Sequence, residues 1–218
     1  MKFKAAIFDM DGTLVDSLSF WDYFWADMGE KYRGDRGFRP SAEDDRYVRT
    51  TTIRELGEFL YEKYGFGESA EEVISGGEEY MRSFYIEKVS AKEGVVPFLS
   101  ELCKQGTKMC IASASPPALI RVALESTGLS GFFERIISCS DVGAGKNKPD
   151  VFFAAAEHLG EKAEDTWVLE DSLTALQTAK TAGFKTVGIY DKYNYGHDDM
   201  KRLSDEYIAD GETLLKLL

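Results

Sequence analysis

The chain opens with Phe3-Lys4-Ala5-Ala6-Ile7-Phe8-Asp9-Met10-Asp11-Gly12-Thr13-Leu14, and this stretch organises the rest. Its first half is a short apolar run with the length and composition of a buried strand. It ends abruptly in Asp-x-Asp-Gly-Thr. Carboxylates at the end of a buried strand are costly unless something positive compensates them, and a divalent cation is the usual solution. Strand side chains alternate, so residues two apart face the same way. Asp9 and Asp11 are thus placed to reach one site, with Gly12 allowing the chain to turn beneath it. A strand followed by an ordinary acidic turn, with Asp11 and Gly12 as turn residues, would give the same local pattern. The remainder of the chain decides between the two.

From Val95 onward, apolar strands and amphipathic helices alternate. Strands are expected at Lys108–Ala112, Arg135–Ser138, Thr166–Leu169 and Thr186–Ile189, with Tyr207–Ala209 as an edge strand before a C-terminal helix. Between them fall helices at Val96–Gln105, Pro116–Ser126, Pro149–Leu159 and Leu173–Ala182, several stopped by a glycine. This alternation predicts an α/β fold: a doubly wound, mainly parallel, Rossmann-like sheet covered on both faces. In such sheets the ligand sits at the carboxyl ends of the strands, and Asp9 stands at one.

The segment from Val15 to Lys92 reads differently. It is aromatic, strongly charged and helical throughout. A first helix is expected to start at Asp16-Ser17, carry Phe20, Trp21, Phe24, Trp25 and Met28, and stop at Gly29. An irregular polar stretch from Lys31 to Asp45 follows, then helices at Thr52–Tyr64 and Ala70–Val89. The expected division is an α/β core from residues 1–14 and 93–218, with residues 15–92 inserted as an all-helical subdomain.

The 218 residues hold 26 Lys and Arg against 38 Asp and Glu, a net charge of -12. Such a surface repels nucleic acid and anionic membrane. It also makes any phosphate site a local positive exception. The three cysteines, Cys103, Cys110 and Cys139, are odd in number and lack a C-x-x-C pair, so each is expected to be a buried small hydrophobe rather than a disulfide or zinc ligand. No leader segment or membrane-spanning run is read, and a cytoplasmic setting is expected.

The other strand ends carry matching chemistry. Ser113-Ala114-Ser115-Pro116 follows the second core strand, with Ser115 a natural N-cap and Pro116 a natural first helical residue. Gly145-Lys146-Asn147-Lys148-Pro149-Asp150-Val151-Phe152 follows the third. Leu169-Glu170-Asp171-Ser172 ends the fourth. Each has an ordinary alternative: Ser115 or Asp171 as a helix cap, Gly145-Lys146 as a solvated loop. Asn147 stands where a P-loop needs Ser or Thr, which removes that reading.

Taken together, the four segments resemble the four motifs of the haloacid dehalogenase superfamily. Gly145, Lys146, Pro149, Asp150 and Phe152 match the phosphoglucomutase-like phosphatase branch. The helical insertion falls where that branch carries its C1-type cap.

The resemblance implies a covalent route in which Asp9 attacks phosphorus to form an aspartyl-phosphate. Asp11 acts as acid and then base. It also implies Mg²⁺ held by Asp9, the Asp11 backbone carbonyl and Asp171, with Glu170 ligating or orienting a water. Lys146 takes the motif lysine's place, with Lys148 as competitor. Thr13 would orient the loop, while Ser113, the Ala114 N–H and Lys146 hold phosphoryl oxygens. A lysine and a metal are needed because two like charges at about 4 Å and an effective dielectric near 20 repel by roughly 4 kcal/mol.

The implied activity is a Mg²⁺-dependent phosphatase of a small phosphorylated metabolite, a sugar phosphate among the candidates, working as a monomer or weak homodimer. A β-phosphoglucomutase-type mutase is the alternative. Against it, Trp21 stands where those mutases carry a cap histidine, and the loop glycine expected near Arg49 is missing. A non-catalytic protein-binding relative is the third reading, opposed by the intact acidic and lysine motifs. Arg49, Arg54, Trp21 and Trp25 are candidate substrate contacts, although Trp at helical spacing is more often core.

Overall fold

The computed structural model describes residues 2–48, 51 and 53–218. Its sheet has six parallel strands: β1 (Ala5–Phe8), β2 (Lys108–Ser113), β3 (Arg135–Ser138), β4 (Thr166–Glu170), β5 (Lys185–Ile189) and β6 (Glu206–Ile208). Their order is β3-β2-β1-β4-β5-β6. The opening stretch therefore forms the central strand, flanked by β2 with Ala5 opposite Lys108 and by β4 with Ala5 opposite Thr166. The chain winds outward from β1 to β3, then returns to the other side of β1. That reversal makes the crevice beyond β1 and β4 the natural ligand site of a doubly wound sheet.

All four residues of β1 are fully buried, as an inner strand covered on both faces requires. Its side chains alternate between two cores. Ala5 and Ile7 pack with Cys110, Ala112, Val151, Phe152, Val168 and Phe184. Phe8 turns the other way, its ring 6.5 Å from that of Phe98 and 5.7 Å from that of Phe133.

The chain divides into two compact units, residues 1–17 with 89–218, and residues 18–88. The second unit consists, among the described residues, of α1 (Phe20–Arg33), α2 (Ala42–Val48), α3 (Ile53–Tyr64) and α4 (Ala70–Glu87). The first unit carries α5 (Val95–Lys104), α6 (Pro117–Ser126), α7 (Cys139–Val142), α8 (Asp150–Leu159), α9 (Leu173–Thr181) and α10 (His197–Leu203). Among the described residues, no helix is long and apolar enough to cross a membrane.

Several local expectations are corrected. α1 begins at Phe20 rather than at Asp16-Ser17, and the Ser17 hydroxyl donates to Asp11. Nor does Gly29 stop it. A Cβ there would lie 2.3 Å from the Asp35 carbonyl oxygen, so glycine permits a close backbone approach inside the helix. The stop is Gly34, in the left-handed conformation with its N–H on the Glu30 carbonyl.

The stretch from Lys31 to Asp45, read as irregular, contains the end of α1 and the start of α2. Acidic residues mask α2 in the sequence. Asp44 is buried, accepting 2.6 Å bonds from Lys63 and from the Tyr64 hydroxyl, while Asp45 accepts from Trp25 Nε1 at 2.7 Å. The C-terminal helix is only a 3₁₀ turn at Leu214–Leu217, and α10 was not foreseen. Thr52, expected to open α3, lies outside the described residues. Cys110 and Cys139 are buried, but Cys103, on the outward side of α5, is exposed.

Candidate active site

Four expected strand-end segments meet beyond the carboxyl edge of the sheet. Asp9 follows β1, and its N–H donates to the Leu169 carbonyl of β4 at 3.0 Å. That bond draws the end of β1 against Glu170 and Asp171. Asp9, Glu170 and Asp171 are all buried, and each offers an oxygen within 4.8 Å of the others. Gly12 adopts φ +82°, which lets the next turn fold back so that the Leu14 N–H reaches the Met10 carbonyl at 2.9 Å.

Lys146 lies between the acids. Its ammonium donates to Asp9 Oδ1 and, at 2.7 Å, to Glu170 Oε2. Lys148 is exposed in the same turn. The ion pairs to Asp9 and Glu170 hold Lys146 inward while Lys148 faces solvent, which separates the two candidates.

Three carboxylates facing one ammonium leave a local charge deficit. Burial raises the Glu170 carboxyl, with repulsion from Asp9 adding to it and Lys146 opposing, so that it is pushed up to about 7. Burial and then repulsion from Asp9 and Glu170 also hold Asp171 well above the usual carboxylate range. Burial works against the charge on Lys146, but attraction from Asp9 and Glu170 outweighs it and raises its pKa. An all-oxygen, anionic, buried set of this kind fits a hard divalent cation, which takes one or two carboxylates and completes its shell with water and phosphate oxygens.

The structure does not bring the Asp11 carboxylate into this acidic group. Asp11 Oδ1 accepts from the Ser17 hydroxyl at 2.7 Å and Oδ2 from the Ser115 hydroxyl at 3.0 Å. The Asp11 carboxylate is therefore held by two serine hydroxyls and is not a member of the Asp9, Glu170 and Asp171 group. Ser115 is likewise not the N-cap expected of it. Pro116 occupies that position, and α6 starts at Pro117. Ser113 is buried at the end of β2, its Oγ accepting from the Ser115 N–H at 3.1 Å, while Ala114 is exposed. The Thr13 hydroxyl donates to Asp171 Oδ1 at 2.9 Å.

Lys92, Asp191 and Asn194 escaped the sequence reading. Lys92 donates to the Gly12 carbonyl and, at 2.8 Å, to Asp191 Oδ2. Asn194 Nδ2 donates to the Asp171 backbone carbonyl at 3.0 Å and to its Oδ2. Asp191 and Asn194 follow β5, so the strand-end rule that located the other segments would have flagged them. Lys92 carried no such signal.

The insertion's candidates fare differently. Trp25 is buried in the helical unit's own core, whereas Trp21 is half-buried and packs edge-on against Phe20 and Phe24. Arg54 is paired on the surface with Glu58 and Glu71. Arg49 lies outside the described residues. His158 is exposed on α8.

This fold and strand-end chemistry agree with what comparison finds. The family model described as haloacid dehalogenase-like hydrolase matches residues 3–183, and the chain belongs to that family. Among curated relatives, hexitol phosphatase B of Escherichia coli is 29% identical over 188 residues, covering 84% of this chain and 82% of that protein. Pyrophosphatase PpaX of Bacillus mycoides is 25% identical over 192 residues, covering 87% and 84%. The solved structure of CbbY from Rhodobacter sphaeroides is similar in fold, with a TM-score of 0.78 at 19% identity over 95% of this chain and 94% of that one.

Proposed function

We propose that the chain is a Mg²⁺-dependent phosphatase that hydrolyses a small phosphorylated metabolite, a sugar or sugar-alcohol phosphate, through an aspartyl-phosphate on Asp9. The observation that carries this reading is the meeting of Asp9, Glu170 and Asp171 around the Lys146 ammonium. The likeness to hexitol phosphatase B supports the substrate class.

In this reading an Asp9 carboxylate oxygen attacks phosphorus, and the ester oxygen leaves with a proton from Asp11. Asp11 then takes a proton from the water that cleaves the acyl phosphate, returning Asp9 to a carboxylate and releasing inorganic phosphate. Ser17 and Ser115 hold the Asp11 carboxyl in one orientation between these steps. Lys146 offsets the charge of the attacking carboxylate and an incoming phosphoryl oxygen. The Ser113 hydroxyl and the Ala114 N–H supply donors to the remaining oxygens. Magnesium, when bound to Asp9, Asp171 and the Asp11 carbonyl with Glu170 beside it, supplies positive charge to the transferring phosphoryl group. The helical unit, residues 18–88, would act as the cap that selects the leaving group, in a cytoplasmic protein.

The test is inorganic phosphate release from a panel of hexose, pentose and hexitol phosphates and pyrophosphate, with and without Mg²⁺. Magnesium-dependent release from a sugar or hexitol phosphate is expected. Isomerised sugar phosphate with little free phosphate, dependent on a bisphosphate primer, would establish a mutase instead. No release from any compound would return the chain to a binding role.

A further inference from the structure

We propose that Lys92 is a positioning residue for the acidic site, acting with Asp191 and Asn194 through a closed ring of hydrogen bonds that fixes the Asp171 carboxylate and the Gly12 turn relative to each other. The inference rests on the reading of Asp171 as a metal ligand.

The ring can be followed atom by atom. Lys92 Nζ donates to the carbonyl of Gly12. Thr13, the next residue, donates its hydroxyl to Asp171 Oδ1 at 2.9 Å. Asp171 Oδ2 and its backbone carbonyl accept from Asn194 Nδ2. The Asn194 N–H donates to the Asp191 carbonyl at 3.0 Å, and Asp191 Oδ1 accepts from the Tyr193 N–H at 3.0 Å. Asp191 Oδ2 closes the ring on Lys92 at 2.8 Å. Both Asp171 carboxylate oxygens are thereby oriented by neutral donors from two separate loops.

Lys92 is well placed for this because its own backbone is tied to the same turn. Its N–H donates to the Leu14 carbonyl at 2.9 Å, Val15 bridges Ala91, and the Asp16 N–H donates to the Ser90 carbonyl at 3.0 Å. Asp191 is 5% exposed, so its charge is tolerable there only with the ammonium beside it. A carbonyl in the turn behind Asp9 and Asp11 thus accepts from a charged ammonium. Groups that orient metal-binding carboxylates in this way typically contribute about 10- to 100-fold in metal affinity or activity.

The test compares the wild-type chain with Lys92→Met/Asp191→Asn, which removes the ring's charge pair without stranding a buried carboxylate, and with Asn194→Ala, which opens the ring on its other side. Mg²⁺ binding is measured by calorimetry without substrate, and amide exchange of residues 10–15 is measured in EDTA. In both variants the Mg²⁺ Kd should rise about tenfold or more. In the double variant, exchange in the Gly12 turn should also accelerate even without metal, an effect that overall stability alone would not confine to this turn. KM for a phosphate ester at saturating Mg²⁺ should stay near wild type while kcat falls. Folded variants that bind Mg²⁺ within twofold of wild type overturn the proposal. If the double variant does not fold, the same criterion applied to Asn194→Ala decides. A wild-type chain that binds Mg²⁺ but releases no phosphate defeats the phosphatase reading, while the binding comparison still judges the ring.

Discussion

The Thr13 hydroxyl donates to Asp171 Oδ1 at 2.9 Å, joining residues 158 positions apart, with both side chains buried. The contact ties the turn after β1 to the end of β4, across the point where the sheet reverses its winding. A loop bearing the proposed nucleophile is thereby clamped to a carboxylate on the neighbouring strand. The consequences of that convergence can be measured.

Asp9→Asn should abolish phosphate release, by at least roughly 10³-fold, as removal of an attacking group does. The fold should survive, because the amide fills the same space and relieves repulsion with Glu170 and Asp171. Near-normal turnover in a variant confirmed by mass spectrometry would remove Asp9 as nucleophile.

The two lysines of the turn before α8 should behave oppositely. Lys146→Met leaves Asp9 and Glu170 buried without their shared cation, at a cost of about 3 kcal/mol in metal-free protein at pH 8, together with loss of activity. Lys148→Met, at an exposed position, should change stability by no more than about 0.5 kcal/mol. Denaturant melts of the two variants check this, and equal effects would count against the inward role of Lys146.

Metal-free protein should lose stability as pH rises from about 4.5 to about 7. Burial and neighbouring charge raise Glu170 from 4.5 to about 7 and raise Asp171 as well. The folded state therefore binds more protons than the unfolded chain across that window, and stability falls with increasing pH. Mg²⁺ binds the ionised carboxylates and should reverse the decline. Calorimetric midpoints in EDTA and in Mg²⁺ at pH 5, 6, 7 and 8 make the comparison. A midpoint that rises through this range in EDTA would contradict it.

Gly57→Ala should destabilise the helical unit by about 2 kcal/mol. A Cβ there would lie 2.3 Å from Ile74 Cγ1 and 3.0 Å from the Ile74 backbone nitrogen, so α3 and α4 would have to separate. Thermal unfolding of the variant reads the cost. An unchanged midpoint would mean that the helix pair yields freely.

Much of the architecture was legible in the chain because burial writes itself into composition. β1 is apolar at every position since both of its faces are covered, and the glycine after α8 marks that helix's end because only glycine turns there at low cost. Helix boundaries in the insertion were harder. α2 hides its pattern under Glu43, Asp44 and Asp45, and Asp44 is buried only because Lys63 and Tyr64, almost twenty residues away, meet it. Gly29 has the look of a helix stop, and only the approach of Asp35 explains why it sits inside the helix.

The linear sequence by itself determined the strand order's raw material, the residues that would stand at strand ends, and the excess of negative charge that any phosphate site must overcome. Tertiary structure alone decided that Lys146 and not Lys148 faces the acids, that Asp11 turns toward Ser17 and Ser115, and that Lys92 and Asn194 belong to the site. The physical reason is that a side chain's direction and its partner are fixed by packing between segments distant in sequence. Local periodicity carries no record of which of two neighbouring charges will find a counter-charge across the fold.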